Sequence, residues 1–258
     1  MIASDLDGTL LGADHRLSER TIAALRAARS AGWTVIAATG RNPTSAMPLL
    51  GPHGVIDVLI GSNGSLIHDP ITDTTVHRFP IDAAHLGALF SSLDAGFDGL
   101  SYSWELADSA GWDHAFDAVA RQHEDLLMHA PGTRPNAAEL VTKVMVRHDD
   151  FVGRQLADRI EPFLPGPLTM GCSGVNFVEI TGAGVDKSRA LAHTVEPLGF
   201  TASDVIAFGD NHNDRQMLAW AGHGVAVGNA VDAAKDVADE VIGDHSDDSV
   251  ARYIESLL

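Results

Sequence analysis

Four short apolar runs in this chain each stop at a polar signature rich in glycine or aspartate. Met1-Ile2-Ala3 leads into Ser4-Asp5-Leu6-Asp7-Gly8-Thr9, and Trp33 to Ala38 ends at Thr39-Gly40-Arg41. Val55 to Ile60 ends at Gly61-Ser62-Asn63-Gly64, and Val205 to Phe208 at Gly209-Asp210-Asn211-His212-Asn213-Asp214. Helix-spaced stretches lie between them. Ser18 is the expected N-cap before Ile22, Leu25 and Ala28, Gly32 stops that helix, and Pro43 opens another. Strand, helix, strand, helix, strand is the grammar of a parallel sheet. Ligands bind beyond the carboxyl ends of such strands, so one sheet would carry all four signatures to one edge.

The pattern changes after the third signature. Leu66-Ile67-His68 and Val76-His77-Arg78-Phe79 read as a hairpin pair. Helical stretches at 82–93, 113–128 and 150–163 then alternate with candidate strands at 99–103, 140–146, 168–172 and 176–180. No strand of this group ends in a paired-acid or glycine-rich signal. Residues 81–181 are therefore expected to form an inserted domain, and residues 1–80 with 182–258 the main one. After a helix over 187–198 and the fourth signature come strands at 224–227 and 240–242, with helices at 230–237 and 247–258. The expected fold class is α/β, a Rossmann-like parallel-sheet core with an inserted smaller α/β domain.

Composition narrows the possible partners. With 258 residues and 45% hydrophobic side chains, core volume is not limiting. A net charge of −18 argues against a nucleic-acid phosphate track. An anionic ligand would have to be drawn by local positive charge. Cys172 is the single cysteine, which excludes an intramolecular disulfide and suits a reducing cytosol. No apolar run approaches the ~18 residues of a membrane span. The start shows no basic segment followed by an apolar one. These features predict a cytoplasmic protein without a membrane partner.

The signatures also carry chemistry. Side chains two apart in extended chain face one side, so Asp5 and Asp7 are expected to share a space. Two such carboxylates repel unless a cation or proton lies between them, and oxygen ligands suit Mg²⁺. Asp210 and Asp214, four apart at a helix start, can also face one side, although acids favour helix N-termini in any case. Arg41 and Lys187 sit where the helix dipole disfavours a cation by roughly 0.3–1 kcal/mol. A bound anion would explain both, and phosphate fits because the backbone near Gly40 and the Thr39 hydroxyl can bind it too. Metal, cation, hydroxyl and carboxylates are the parts of phosphoryl transfer. Asp5 would attack phosphorus, Asp7 would serve as acid and base, and Mg²⁺ and Lys187 would stabilise the transferring oxygens.

Asp5-Leu6-Asp7-Gly8-Thr9-Leu10, Thr39-Gly40-Arg41, Lys187 and the Gly209 to Asp214 run resemble the four ordered motifs of haloacid-dehalogenase-like phosphatases. More narrowly, the chain is similar to the Cof-type subfamily, whose cap domain is inserted between the second and third motifs. Ser62-Asn63-Gly64, Gly184-Val185-Asp186-Lys187, Met217-Leu218 and Gly224 to Ala230 share that likeness. The resemblance implies a Mg²⁺-dependent phosphatase acting on small phosphomonoesters, such as sugar phosphates or phosphorylated cofactors, through an aspartyl-phosphate. A cap would close over the leaving group. Asp5 would be nucleophile and metal ligand, and Asp7 acid/base with its backbone carbonyl on the metal. Thr39 and Lys187 would hold the phosphoryl group, with Gly40, Arg41 and Asn63 also on the phosphate side. Asp210 would ligate the metal, Asp214 directly or through water, and Asn213 would reach the phosphoryl or Lys187. Asp186 and Ser188 stand where the subfamily more often has Ser and Gly, and the extra carboxylate would weaken the pull of Lys187 on phosphate. A phosphosugar mutase or phosphotransferase, and a non-catalytic binding module, are the rival readings. The 13 histidines show no metal-binding spacing. Tyr102 and Trp104 are either core or substrate-stacking residues of the cap.

Overall fold

The computed structural model describes residues 1–116, 134–135, 138–172 and 177–258. Two compact units are present, Met1–His77 with Asp186–Leu258, and Arg78–Val185. Strands follow in chain order as β1 (Ile2–Ser4), β2 (Val35–Ala38), β3 (Val58–Gly61), β4 (Leu66–Asp69) and β5 (Thr74–Arg78). Then come β6 (Ser101–Glu105), β7 (Ala110–Trp112), β8 (Lys143–Arg147), β9 (Thr169–Gly171) and β10 (Val178–Thr181). The chain returns through β11 (Ile206–Gly209), β12 (His223–Ala226) and β13 (Glu240–Val241).

Among the described residues the first unit holds a sheet of order β13-β12-β11-β1-β2-β3-β4-β5. Neighbours from β13 to β3 are parallel, and β4 turns back antiparallel to β3. β1 and β2 are wholly buried, as expected of parallel strands covered on both faces. The helix Glu19–Ser30 is capped by Ser18, whose hydroxyl accepts from the Thr21 N–H at 3.0 Å, and it buries Thr21, Ala24, Leu25 and Ala28 at helical spacing. Ser4 lies level with Phe208 on one side and Ala37 on the other, and Ala38 with Ile60. The adjacent parallel strands β11, β1, β2 and β3 thus release the chain at one edge. The expected helix over 230–237 is shorter, Asp232–Lys235.

Among the described residues the second unit holds a sheet of order β7-β6-β8-β10-β9, antiparallel between all neighbours. Leu86, Phe90 and Leu93 of the helix Ala83–Gly96 and Leu156 and Ile160 of the helix Gly153–Ile160 pack with Tyr102, Trp104, Val144, Val146, Val178 and Ile180. Tyr102 and Trp104 are therefore core residues, edge-on to the Phe90 ring. The Tyr102 hydroxyl donates to Asp94 at 2.9 Å. Cys172 packs partly buried against the same core. Of the helix expected over 113–128, residues 117–128 lie outside the described residues. Its start is a turn in which Asp113 Oδ1 accepts from the Phe116 N–H. Among the described residues no helix is long and apolar enough to cross a membrane.

Candidate active site

Asp5 follows β1 directly, its N–H still bonded to the Phe208 carbonyl at 2.9 Å, and its side chain is buried. Lys187, fully buried at the start of the helix Lys187–Val195, places Nζ 2.6 Å from Asp5 Oδ1 and 2.6 Å from Asp214 Oδ1. The second Asp214 oxygen accepts from the N–H groups of Asp210 and Asn211, at 3.0 and 2.9 Å. Asp214 thus clamps Lys187 and fixes the loop after β11. Asp210 Oδ1 accepts the Thr9 hydroxyl at 2.7 Å. Carboxylate oxygens of Asp5, Asp210 and Asp214 lie within 4.8 Å of one another.

The glycine of the opening signature has a steric cause. Gly8 has φ +79°, and a Cβ there would stand 2.6 Å from Asp210 Oδ2. Only a bare backbone lets the two loops approach this closely.

Burial, the nearby Asp214 and Asp210 charges, and only partial relief from Lys187 push the Asp5 carboxyl well above its ordinary range. Burial and Asp214 raise Asp210 against the Thr9 hydrogen bond. Burial works against the Lys187 charge, but Asp214 and Asp5 outweigh it and hold the ammonium protonated. Three buried carboxylates facing one ammonium leave an excess of negative charge.

Asp7 departs from expectation. The strand ends at Ser4, and Leu6–Leu10 forms an irregular helical turn. Within it Asp7, at φ −75°, ψ 119°, and Gly8, at φ +79°, alone leave helical angles, so Leu6 between the two acids is not extended. The extended-chain rule therefore does not apply, and the Asp7 carboxylate is not part of the cluster. It is gripped instead by Arg41, with Nε on Oδ2 and Nη2 on Oδ1 at 2.6 Å each, and by His15 Nδ1 at 3.2 Å from Oδ1. Burial raises the Asp7 carboxyl, but Arg41 and His15 together leave it below its ordinary value.

The other expected residues lie at the same edge. Thr39 is buried after β2, and its hydroxyl accepts from the Arg41 N–H at 3.1 Å. A Cβ on Gly40 would stand 3.0 Å from Asn63 Oδ1. Asn63, at φ +56°, accepts from Asn213 Nδ2 at 3.0 Å and so ties the loops after β3 and β11 together. Asn213 is thus engaged with Asn63. A Cβ on Gly64 would fall 2.1 Å from the Asp186 carbonyl, so this glycine admits the helix of Lys187. Asp186 is the cap of that helix, accepting from the Arg189 N–H at 3.0 Å. That contact accounts for the residue that departs from the family pattern.

Asn229, read only as part of the Gly224 to Ala230 likeness, and His15 were given no role by the sequence. Asn229 donates to the Gly8 carbonyl at 2.8 Å and accepts from the His245 N–H. Its place just beyond a strand of the same sheet was a usable signal. His15 had none, since it reaches Asp7 only through the shape of a loop.

A family model described as haloacid dehalogenase-like hydrolase matches residues 2–254, and the chain belongs to that family. The pyridoxal phosphate phosphatase YbhA of Escherichia coli (strain K12) is 33% identical over 100% of this chain and 98% of its own length. The HMP-PP phosphatase of Klebsiella pneumoniae (strain 342) is 32% identical over 100% of this chain and 95% of its own. The solved sugar phosphatase BT4131, of HAD subclass IIB, superposes with a TM-score of 0.83 at 22% identity and shares the fold over 99% of this chain and 98% of its own. The chain is an enzyme, a phosphatase of this family with a Rossmann-like core and an inserted cap domain.

Proposed function

We propose that the enzyme hydrolyses small phosphomonoesters, sugar phosphates or phosphorylated cofactors, with Asp5 as nucleophile and Mg²⁺ as the ion of its carboxylate cluster. The observation that carries this reading is the cluster itself: Asp5, Asp210 and Asp214 buried around the Lys187 ammonium at the edge where four strand ends meet. An all-oxygen donor set with surplus negative charge fits a hard divalent cation. Asp5 and Asp210 would hold it, Asp214 standing behind them because both of its oxygens already accept hydrogen bonds. When bound, Mg²⁺ supplies positive charge to the transferring phosphoryl oxygens.

The chain's own residues then divide the work. Lys187 and Thr39, with the backbone at Gly40, hold the phosphoryl group. Asp5 attacks phosphorus to form an aspartyl-phosphate, the leaving oxygen takes a proton from Asp7, and Asp7 later accepts a proton from the attacking water. Arg41 lies on Asp7, so substrate oxygens compete for the guanidinium and release Asp7 to carry that proton. Asn63 and Asn213 brace the loops around the phosphate side. The lone thiol suits the cytoplasm, and the charge of −18 suits small-molecule substrates better than nucleic acid.

Phosphate release from a phosphomonoester panel tests the assignment. With Mg²⁺ the wild type is expected to turn over, and Asp5→Asn to fall by about 10³-fold or more. Release by Asp5→Asn at the wild-type rate would refute Asp5 as nucleophile.

A further inference from the structure

The Asp7 carboxylate carries three contacts from two side chains outside the carboxylate cluster. Arg41, whose side chain is 25% exposed, comes from the loop after β2. His15 comes from a closed turn: the Gly12 N–H donates to the Arg16 carbonyl, the His15 N–H to the Gly12 carbonyl, and the Arg16 N–H to Asp14 Oδ1. That turn holds His15 at φ +57°, a region unfavourable for a residue with a Cβ. A side chain 70% exposed is thereby set against Asp7.

Resting on the phosphatase reading above, we infer that Arg41 and His15 form a subsite for a second phosphate, and that the enzyme prefers diphosphate monoesters to the matching monophosphates. A guanidinium fork fits carboxylate and phosphate equally well. Whatever is bonded to the leaving oxygen lies against the partners of the residue that protonates it. In a monophosphate that neighbour is carbon, which offers these donors nothing. In a diphosphate it is a phosphorus bearing anionic oxygens. In a chain of net charge −18, such local donors are what draws an anion.

The transfer balances without another reactant. An Asp5 oxygen bonds to the terminal phosphorus, and the bond from that phosphorus to the bridging oxygen breaks. The electron pair stays on the bridging oxygen, which takes the proton from Asp7 and departs as part of the monophosphate ester with Arg41 and His15 on its remaining charge. Water then attacks the aspartyl phosphorus, loses a proton to Asp7, and releases inorganic phosphate from Asp5.

Butyl phosphate and butyl diphosphate, each with Mg²⁺, provide the test, scored as the ratio of their kcat/KM values. The wild type is expected to favour the diphosphate by about tenfold or more, from charge-assisted contacts to the second phosphate. Arg41→Gln should bring the ratio towards one, and His15→Gln, on an exposed loop and so safe for folding, should lower it several-fold. Inhibition by inorganic pyrophosphate should weaken in both variants more than inhibition by inorganic phosphate. A wild-type ratio of one or less, or a ratio that neither folded variant changes, overturns the subsite and leaves the phosphatase standing. Failure of the wild type to hydrolyse either ester overturns both.

Discussion

Lys187 in the first unit and Lys143 in the second are both buried, and each stands between two carboxylates. Lys187 Nζ meets Asp5 and Asp214 at 2.6 Å each, and Lys143 Nζ meets Glu105 and Glu179 at 3.0 Å each. In both, burial opposes the charge and the flanking carboxylates outweigh it. The surroundings differ. Lys143, Glu105 and Glu179 stand on the adjacent strands β8, β6 and β10, with Glu105 directly opposite Lys143. Lys187 stands at a helix start among loops, and a third carboxylate, Asp210, lies within reach of its two partners. A buried lysine between two acids is therefore not in itself a site. The additional acid, on loops released at one sheet edge, turns an ion pair into a place that calls for a cation.

Substituting each lysine separates the two clusters most strongly. Lys187→Met should lower kcat by about 10³-fold or more, because it removes positive charge aimed at the transferring phosphoryl group. Lys143→Met should leave kcat within about threefold while lowering stability by about 3–5 kcal/mol, the usual cost of breaking a buried pair. Denaturant midpoints and steady-state rates on the same preparations would decide. A folded Lys143→Met as inactive as Lys187→Met would break the comparison.

A smaller effect appears with pH. A carboxyl raised in the folded state costs stability as pH climbs from its unfolded value through its folded one. With metal chelated, Asp5 and Asp210 should therefore make the melting temperature fall as pH rises beyond the ordinary carboxylate range. Lys143 is raised, so its contribution is complete below the unfolded lysine pKa and is lost only at strongly alkaline pH. Mg²⁺ should flatten the slope, and so should Asp210→Asn in chelator. Equal slopes with and without Mg²⁺ would contradict this account.

The parallel core was legible because β1, β2, β3 and β11 are short apolar runs ending in glycine and aspartate signatures, and period and punctuation survive without coordinates. The pairing of Asp5 with Lys187, 182 positions apart, was legible only through that shared edge. Asp7 was misplaced because Leu6 already turns out of the extended conformation, and side-chain alternation ends with the strand. His15 and the Glu105–Lys143–Glu179 cluster were invisible for a related reason. One depends on a turn closed by Gly12 and Arg16, the other on the register of three strands far apart in sequence. Local pattern encodes neither.

The central claim is that Asp5 and Asp210 share one ion. Calorimetric titration of the metal-free protein with Mg²⁺ tests it directly, with Asp210→Asn as comparison. The expected result is one ion per chain for the wild type and at least about tenfold weaker binding for the variant, the scale of losing one charged contact. Equal affinity in the two proteins, or no binding by the wild type, would contradict it.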